Sequence, residues 1–201
     1  MLDFVEFKRQ LRSQESYRDE IFHGRFKAIV DAVPAESKVL DVACGSGTLM
    51  ATLQEKGCHC VGIDLAPGAV RLAMSKGLQV HLGDIDAFDS DENVRSVLFA
   101  EYDAVIFSKC LMYLRRKNEI LRALRTKAVL INQANPFYWK YLVGMIERSD
   151  IGSYLTADQQ EVVVNTPWAL MRWGESYGYN ARRLHGGWLR GRDMVISLSK
   201  D

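Results

Sequence analysis

No stretch of this sequence approaches the ~20 consecutive apolar residues that a membrane-spanning helix needs. Met1–Gln10 lacks the basic start and apolar run of a secretory signal, since acids are scattered among its hydrophobic residues. The expected location is therefore cytoplasmic, with no membrane partner. An excess of positive charge is missing too. Lys and Arg number 26 against 25 Asp and Glu, a formal net charge of +1. Proteins held mainly by nucleic-acid phosphates usually carry a strong basic excess, so nucleic acid is disfavoured as the main partner. Cysteine is sparse, at four residues. Cys58-His59-Cys60 has the look of a metal fragment, but no second Cys/His pair follows at zinc spacing. Alternation along a strand puts both thiols on one face and His59 on the other. Small buried thiols are the expectation, and no metal.

What is present suits one α/β domain. The 201 residues are 48% hydrophobic and 25% charged, enough apolar material for a core. Leu2–Val33 reads as helical: Phe4, Phe7 and Leu11, then Ile21, Phe22, Phe26, Ile29 and Val30, recur at helical spacing. Ser13–Tyr17 interrupts the pattern. Pro34 ends it, because the residue before proline disfavours the helical region. An alternation follows, with strands expected at Lys38–Val42, Cys58–Ile63, Leu78–Leu82, Tyr102–Phe107 and Ala128–Asn132. Helices are expected at Gly47–Lys56, Pro67–Lys76, Ser90–Leu98, Arg115–Arg125, Pro136–Glu147 and Pro167–Tyr177. Strands separated by short helices imply βαβ units and a parallel sheet with helices on both faces. Ala181–His185 and Asp193–Leu198 read as a closing antiparallel pair, their link being too short for a crossover. Ser149–Asn165 is the least regular stretch, placed where a lid or insertion would come.

The first strand ends in Asp41-Val42-Ala43-Cys44-Gly45-Ser46-Gly47-Thr48. In a doubly wound sheet, ligands bind beyond the carboxyl ends of the strands, where strand order reverses. Gly45 and Gly47 let a ligand press against the backbone, and the helix that follows aims free N–H groups into the same space. The second strand runs into Asp64, 19 residues past Gly45, where a carboxylate can accept from both ribose hydroxyls. After the third strand, Asp84 is placed to accept from an adenine amine while Ile85 packs on the ring. Dinucleotides use the same geometry, through G-x-G-x-x-G. Here Met50 stands where the third glycine would be, so a close helix–strand approach is not expected. With the acid at Asp41 and with Asp84, the set favours S-adenosylmethionine. Each residue also has a plainer reading: a tight turn for the glycines, a helix cap for Asp64, a solvated acidic run for Asp84.

Val39–Thr48 resembles motif I of class I (Rossmann-like) S-adenosylmethionine-dependent methyltransferases, and Val61-Gly62-Ile63-Asp64-Leu65-Ala66 resembles their second motif. The resemblance spans about Ser37–Asn132. It implies a seven-stranded, doubly wound, mostly parallel sheet of order 3-2-1-4-5-7-6 with its last strand antiparallel. It implies one domain over residues 1–201, with a helical cap at 1–33, a cofactor core at 37–132, and acceptor-side helices and a final strand pair at 133–201. The implied cofactor-binding residues are Asp41, Ala43, Cys44, Gly45, Gly47, Asp64, Leu65, Asp84, Ile85 and Ser108, with Asp41 or its loop at the methionine amino group. Within the class, Lys76–Asp86, Ser108-Lys109-Cys110-Leu111 and Asn135-Pro136-Phe137 look like the MetW methionine-biosynthesis proteins. That likeness introduces a second reading: a cofactor-binding partner or regulatory subunit of a metabolic enzyme, without turnover of its own. A dinucleotide oxidoreductase is a third.

Departures from subfamily patterns narrow the acceptor. Enzymes that methylate exocyclic or amide nitrogen resemble one another in carrying Asn/Asp-Pro-Pro-Tyr/Phe after strand 4, where this chain has Ser108-Lys109-Cys110-Leu111. Asn135-Pro136-Phe137-Tyr138 mimics that motif but follows strand 5 and reads as a helix start. Ser108 and Lys109 cannot replace the metal-binding acid of catechol-type enzymes, and no Pro-Cys pair marks a cytosine C5 nucleophile. A small-molecule acceptor, methylated on oxygen or nitrogen, is the expectation. Positioning and exclusion of water supply much of the catalysis, with a base where the acceptor carries a proton. His23 is the candidate base, with Tyr17 beside it and Arg25 to orient an anionic acceptor. His185 and Trp188 are further candidates, and Tyr113, Asn132, Tyr138 and Trp139 follow strands 4 and 5, where the acceptor should sit. The aromatics fit a core role equally well. A homodimer or an enzyme partner is compatible with all of this.

Overall fold

Short runs of β-branched and apolar residues become the strands of a single sheet. The computed structural model describes residues 4–19, 24–134, 166–186 and 193–200. Its N-terminal part holds α1 (Phe4–Arg12) and α2 (Gly24–Ala32), separated by an irregular strap as the Ser13–Tyr17 interruption suggested. Then come β1 (Lys38–Val42), α3 (Thr48–Glu55), β2 (His59–Asp64), α4 (Pro67–Ser75), β3 (Gln79–Leu82), α5 (Glu92–Leu98), β4 (Glu101–Ser108), α6 (Lys117–Ala123) and β5 (Arg125–Ala134). Helix α7 (Pro167–Glu175) precedes β6 (Asn180–His185) and β7 (Asp193–Ser199). The helix expected at Pro136–Glu147 and the irregular Ser149–Asn165 lie outside the described residues. No helix among the described residues is long and apolar enough to cross a membrane.

The sheet order is β3-β2-β1-β4-β5-β7-β6. Strands β1 to β5 pair in parallel, and β7 runs antiparallel to both β5 and β6. From β1 the chain steps outward to β3, then returns to β4 on the other side. Right-handed crossovers therefore place α3 and α4 on one face and α5 and α6 on the other. The core records this by strand parity. Val39, Cys60, Ala104, Ile106 and Leu130 pack with Leu53 and Val70 on the first face. Leu40, Val42, Val105, Phe107 and Ile131 pack with Leu98, Ile120 and Leu170 on the second. The reversal between β1 and β4 opens a cleft at their carboxyl ends.

One expectation needs correction. The missing third glycine does not keep α3 away from the sheet; the space is supplied by the strand instead. A Cβ on Gly62 of β2 would lie 2.7 Å from Met50 Sδ and 2.7 Å from Cys44 Sγ. Met50 is fully buried there. The close approach survives with the small residue moved from helix to sheet.

All four cysteines are unpaired and buried, and Cys58 and Cys60 flank an exposed His59, as strand alternation requires. Burial pushes the Cys60 thiol up to about 12 and the Cys110 thiol well above its ordinary value. Reagents attack the thiolate. At pH 8 the native protein is therefore expected to release almost no colour with an aromatic disulfide reagent in the first minutes, and four equivalents once unfolded in guanidinium; prompt reaction of Cys60 or Cys110 would contradict the packing.

Candidate cofactor and acceptor site

The loop after β1 is built by the backbone of its neighbour. The N–H groups of Ala43 and Cys44 both donate to Ile63 O of β2, at 2.8 and 3.3 Å. Ala43 is left-handed at φ 56°, as are Gly45 at 57° and Gly47 at 75°. Gly47 sits at the N-cap of α3, where a Cβ would come within 2.2 Å of Leu78 Cδ1. Both the conformation and the space demand glycine there.

Asp64, at the tip of β2, locks this loop. Its Oδ2 accepts from Gly45 N at 2.8 Å and its Oδ1 from Ala66 N at 2.8 Å. Burial raises the pH at which its carboxyl ionises, and the backbone N–H groups of Ala66, Gly45 and Leu65 pull it back part of the way. The two carboxylate oxygens carry four lone pairs, so acceptor capacity remains for a ligand beside these N–H groups. The plainer cap reading is partly right, since Asp64 does hold the backbone just before α4. The same bonds orient it toward the cleft.

The cleft is a cavity of about 220 Å³. Its floor comes from the tips of β1, β2 and β3: Ala43, Asp64, Leu65, Asp84 and Ile85. The opposite wall is the tip of β4 and the turn after it, Ser108, Lys109, Cys110 and Tyr113. Tyr17 of the strap also lines it. Of the expected cofactor residues, Asp41, Cys44, Gly45 and Gly47 stand behind this lining: Asp41 is buried within β1, in register with Gly62 and Ile106. Asn132 is likewise buried, donating from Nδ2 to Ser108 Oγ at 3.0 Å. His185 stands on the outer strand β6, against Lys27 and Asp31 of α2, and is not brought to the cleft. His23, Tyr138, Trp139 and Trp188 lie outside the described residues, as does the side chain of Arg25.

Helix α1 closes the cavity, which sequence reasoning placed only as a cap. Phe7, Lys8 and Leu11 face inward, a stripe at helical spacing. Phe7 stacks on Tyr113 with centroids 4.7 Å apart. Lys8 Nζ donates to Asp84 at 2.7 Å and Asp86 at 2.6 Å, and Arg12 reaches the other oxygen of Asp84 at 2.8 Å. Asp84 also accepts from Asp86 N at 3.1 Å, capping the 3-10 turn Ile85–Ala87. Its carboxylate therefore serves the cap as well as the cleft. The strap is docked on α4: Gly68 N donates to Gln14 O at 2.9 Å, and Arg71 holds Glu15.

A model of the family described as "Methionine biosynthesis protein MetW" matches residues 23–153, more than half of the chain. The chain belongs to this family. MetW membership agrees with the motifs around Asp41 and Asp64. Among curated relatives, the putative methyltransferase YqeM of Bacillus subtilis is 29% identical over 109 residues, 50% of this chain and 40% of that protein. The ubiquinone biosynthesis O-methyltransferase of Aeromonas salmonicida is 27% identical over 161 residues, 74% of this chain and 65% of that protein. The chain thus spans about 40 to 65% of the length of these relatives. Among solved structures, a SAM dependent methyltransferase from Archaeoglobus fulgidus superposes with a TM-score of 0.66 at 17% identity, covering 98% of this chain and 100% of that one. Magnesium protoporphyrin IX methyltransferase from Synechocystis, solved with bound SAM, gives 0.62 at 12% identity, over 100% and 98%. These likenesses establish the methyltransferase fold for this MetW-family chain.

Proposed function

We propose that this protein transfers a methyl group from S-adenosylmethionine to oxygen or nitrogen of a small-molecule acceptor. The observation that carries the reading is Asp64: a carboxylate at the tip of β2, tied to Gly45 N in the loop after β1 and open to the cleft on its other side. The residues fit an adenosyl ligand. Asp64 retains acceptor capacity for ribose hydroxyls, Ile85 and Leu65 supply apolar walls, and Ala43, at the start of the left-handed loop, lines the cleft. When bound, the cofactor supplies an electrophilic sulfonium methyl. The chain's own part is to hold that group between the tips of β1 to β3 and the wall formed by Ser108, Lys109 and Tyr113, and to keep water out with α1. His23 as base and Tyr17 as its neighbour remain part of this proposal; His23→Ala should then lose activity where the wild-type imidazole is neutral, and activity retained at all pH values would remove His23 from it.

The cavity is smaller than the ~300–1,000 Å³ usual for ligand pockets, and the reading has α1 move outward as the cofactor enters. Lys8→Met removes the link to Asp84 and Asp86 while keeping the apolar stem. Partly exposed ion pairs contribute ~1 kcal/mol or less, so association with adenosylhomocysteine should quicken by about three- to fivefold, as read by stopped-flow fluorescence. An unchanged rate would mean that the ion pairs do not hold the cap.

A second reading has one observation in its favour, since the matching family's description names methionine biosynthesis and not transfer. In it, the chain binds the cofactor as a partner of a metabolic enzyme, or as a homodimer. Transfer of labelled methyl from adenosylmethionine into a cell extract separates the two. Label in a small product supports the transferase. Intact adenosylhomocysteine binding without label in any extract supports the partner, and failure to bind adenosylhomocysteine removes both.

A further inference from the structure

The wall of the cleft opposite Asp64 carries a charge that the cofactor does not need. Lys109 follows the last residue of β4 and lines the cavity. Its φ is 58°, a left-handed conformation in which a lysine is strained. Ala43, one strand over, is the other non-glycine residue of this kind at the cavity. The two mark the ends of β1 and β4, where strand order reverses. Backbone strain held at both lips of a ligand cleft is retained because the surrounding contacts enforce it. For Lys109 those contacts are visible: its N–H donates to Asn132 O at 2.7 Å, and Asn132 Nδ2 holds the adjacent Ser108 Oγ at 3.0 Å.

The fixed backbone carries a side chain with unused capacity. Among the described residues, the Lys109 ammonium meets Asp193 Oδ1 at 3.6 Å, an ion pair too long for a hydrogen bond. An ammonium has three donors. The Lys109 side chain is 42% exposed, so it is reachable from the cleft. Asn132 Oδ1, buried behind Ser108, also has no hydrogen-bond partner among the described residues. Asp84 on the far side is already met by Lys8 and Arg12.

We propose that Lys109 selects the methyl acceptor by pairing with a carboxylate that the acceptor carries. The proposal rests on the methyltransferase reading above and adds the acceptor's class. One ammonium with Asp193 close by and Asp64 across the cavity suits a single negative charge better than the two of a phosphate monoester.

The test uses the intact protein saturated with adenosylhomocysteine, titrated with matched probes: glycolate, 3-hydroxybutyrate and 4-hydroxybenzoate, each against its methyl ester, and 4-hydroxyphenyl phosphate. At least one carboxylate should bind about tenfold tighter than its ester by calorimetry, as a partly desolvated ion pair allows. Lys109→Gln should abolish that preference and Lys109→Arg retain it, each read with adenosylhomocysteine at saturation. Lys109→Gly should lose the preference too, yet melt about 3 °C higher because the strain is released. No preference for any carboxylate, a preference that survives Lys109→Gln, or tighter binding of the phosphate would each overturn the proposal. Failure of adenosylhomocysteine to bind the unaltered protein would instead strike the methyltransferase reading.

Discussion

Asp64→Ala is expected to weaken adenosylhomocysteine binding by about 100-fold, from loss of charge-assisted hydrogen bonds worth ~1.5–3 kcal/mol each and of the anchor on Gly45. Asp64→Asn should fare little better. One of its two positions becomes an NH2 group, which must face the N–H of either Gly45 or Ala66. The carboxylate also gives the binding a pH dependence. Burial raises the pH at which Asp64 protonates. The ionised form is the one that accepts from ribose, so affinity is complete above that pH and falls as acid is added. The fall should begin above the ordinary carboxylate range and be absent from Asp64→Ala. Calorimetry across pH reads both effects, and equal affinity in wild type and Asp64→Ala would end the cofactor assignment.

The second large effect concerns stability. Gly62→Val places a branched side chain where even a Cβ would meet Met50 Sδ and Cys44 Sγ at 2.7 Å. Overpacking of this kind costs ~1–3 kcal/mol, and the upper end applies because helix α3 and the loop after β1 must both retreat. For a chain of this length that lowers the melting temperature by about 5–10 °C. Gly77→Ala is the contrast. Its φ of 78° is left-handed, unlike that of the strand residue Gly62, but nothing lies within 4 Å, so only backbone strain of ~1 kcal/mol is at stake. Equal melting temperatures for the two variants would show that the tight contact at Gly62 relaxes freely.

How legible all this is in the sequence depends on whether a signal is local. Strand β1 reads out to the residue because Lys38–Val42 is a compact β-branched run bounded by Ser37 and the loop glycines. Asp64 and Asp84 are legible because their places at strand ends follow from the alternation alone. Three features are not legible there. The close helix–strand contact was sought at the third glycine of a helix, whereas the small residue that admits Met50 lies on β2, and no spacing rule links Gly62 to Met50. The cap's grip escaped because Lys8 and Asp84 are 76 residues apart. Phe7 and Leu11 announced an apolar face but not what it covers. Lys109 was read only for the acid it lacks. Its left-handed backbone and its place in the cleft wall are tertiary facts.

The separation between α1 and its partners also has a consequence in time. A nine-residue helix is too short to persist alone in water, where roughly 12–15 residues are needed. Its order therefore comes from docking against Asp84, Asp86 and Tyr113. During translation at ~5–20 residues per second, Asp84 leaves the peptidyl-transferase centre about 4–15 s after Lys8. For that interval Phe7 and Leu11 belong to a nascent segment with nowhere to pack. The element that seals the cleft is made before the residues it docks on and must wait for them.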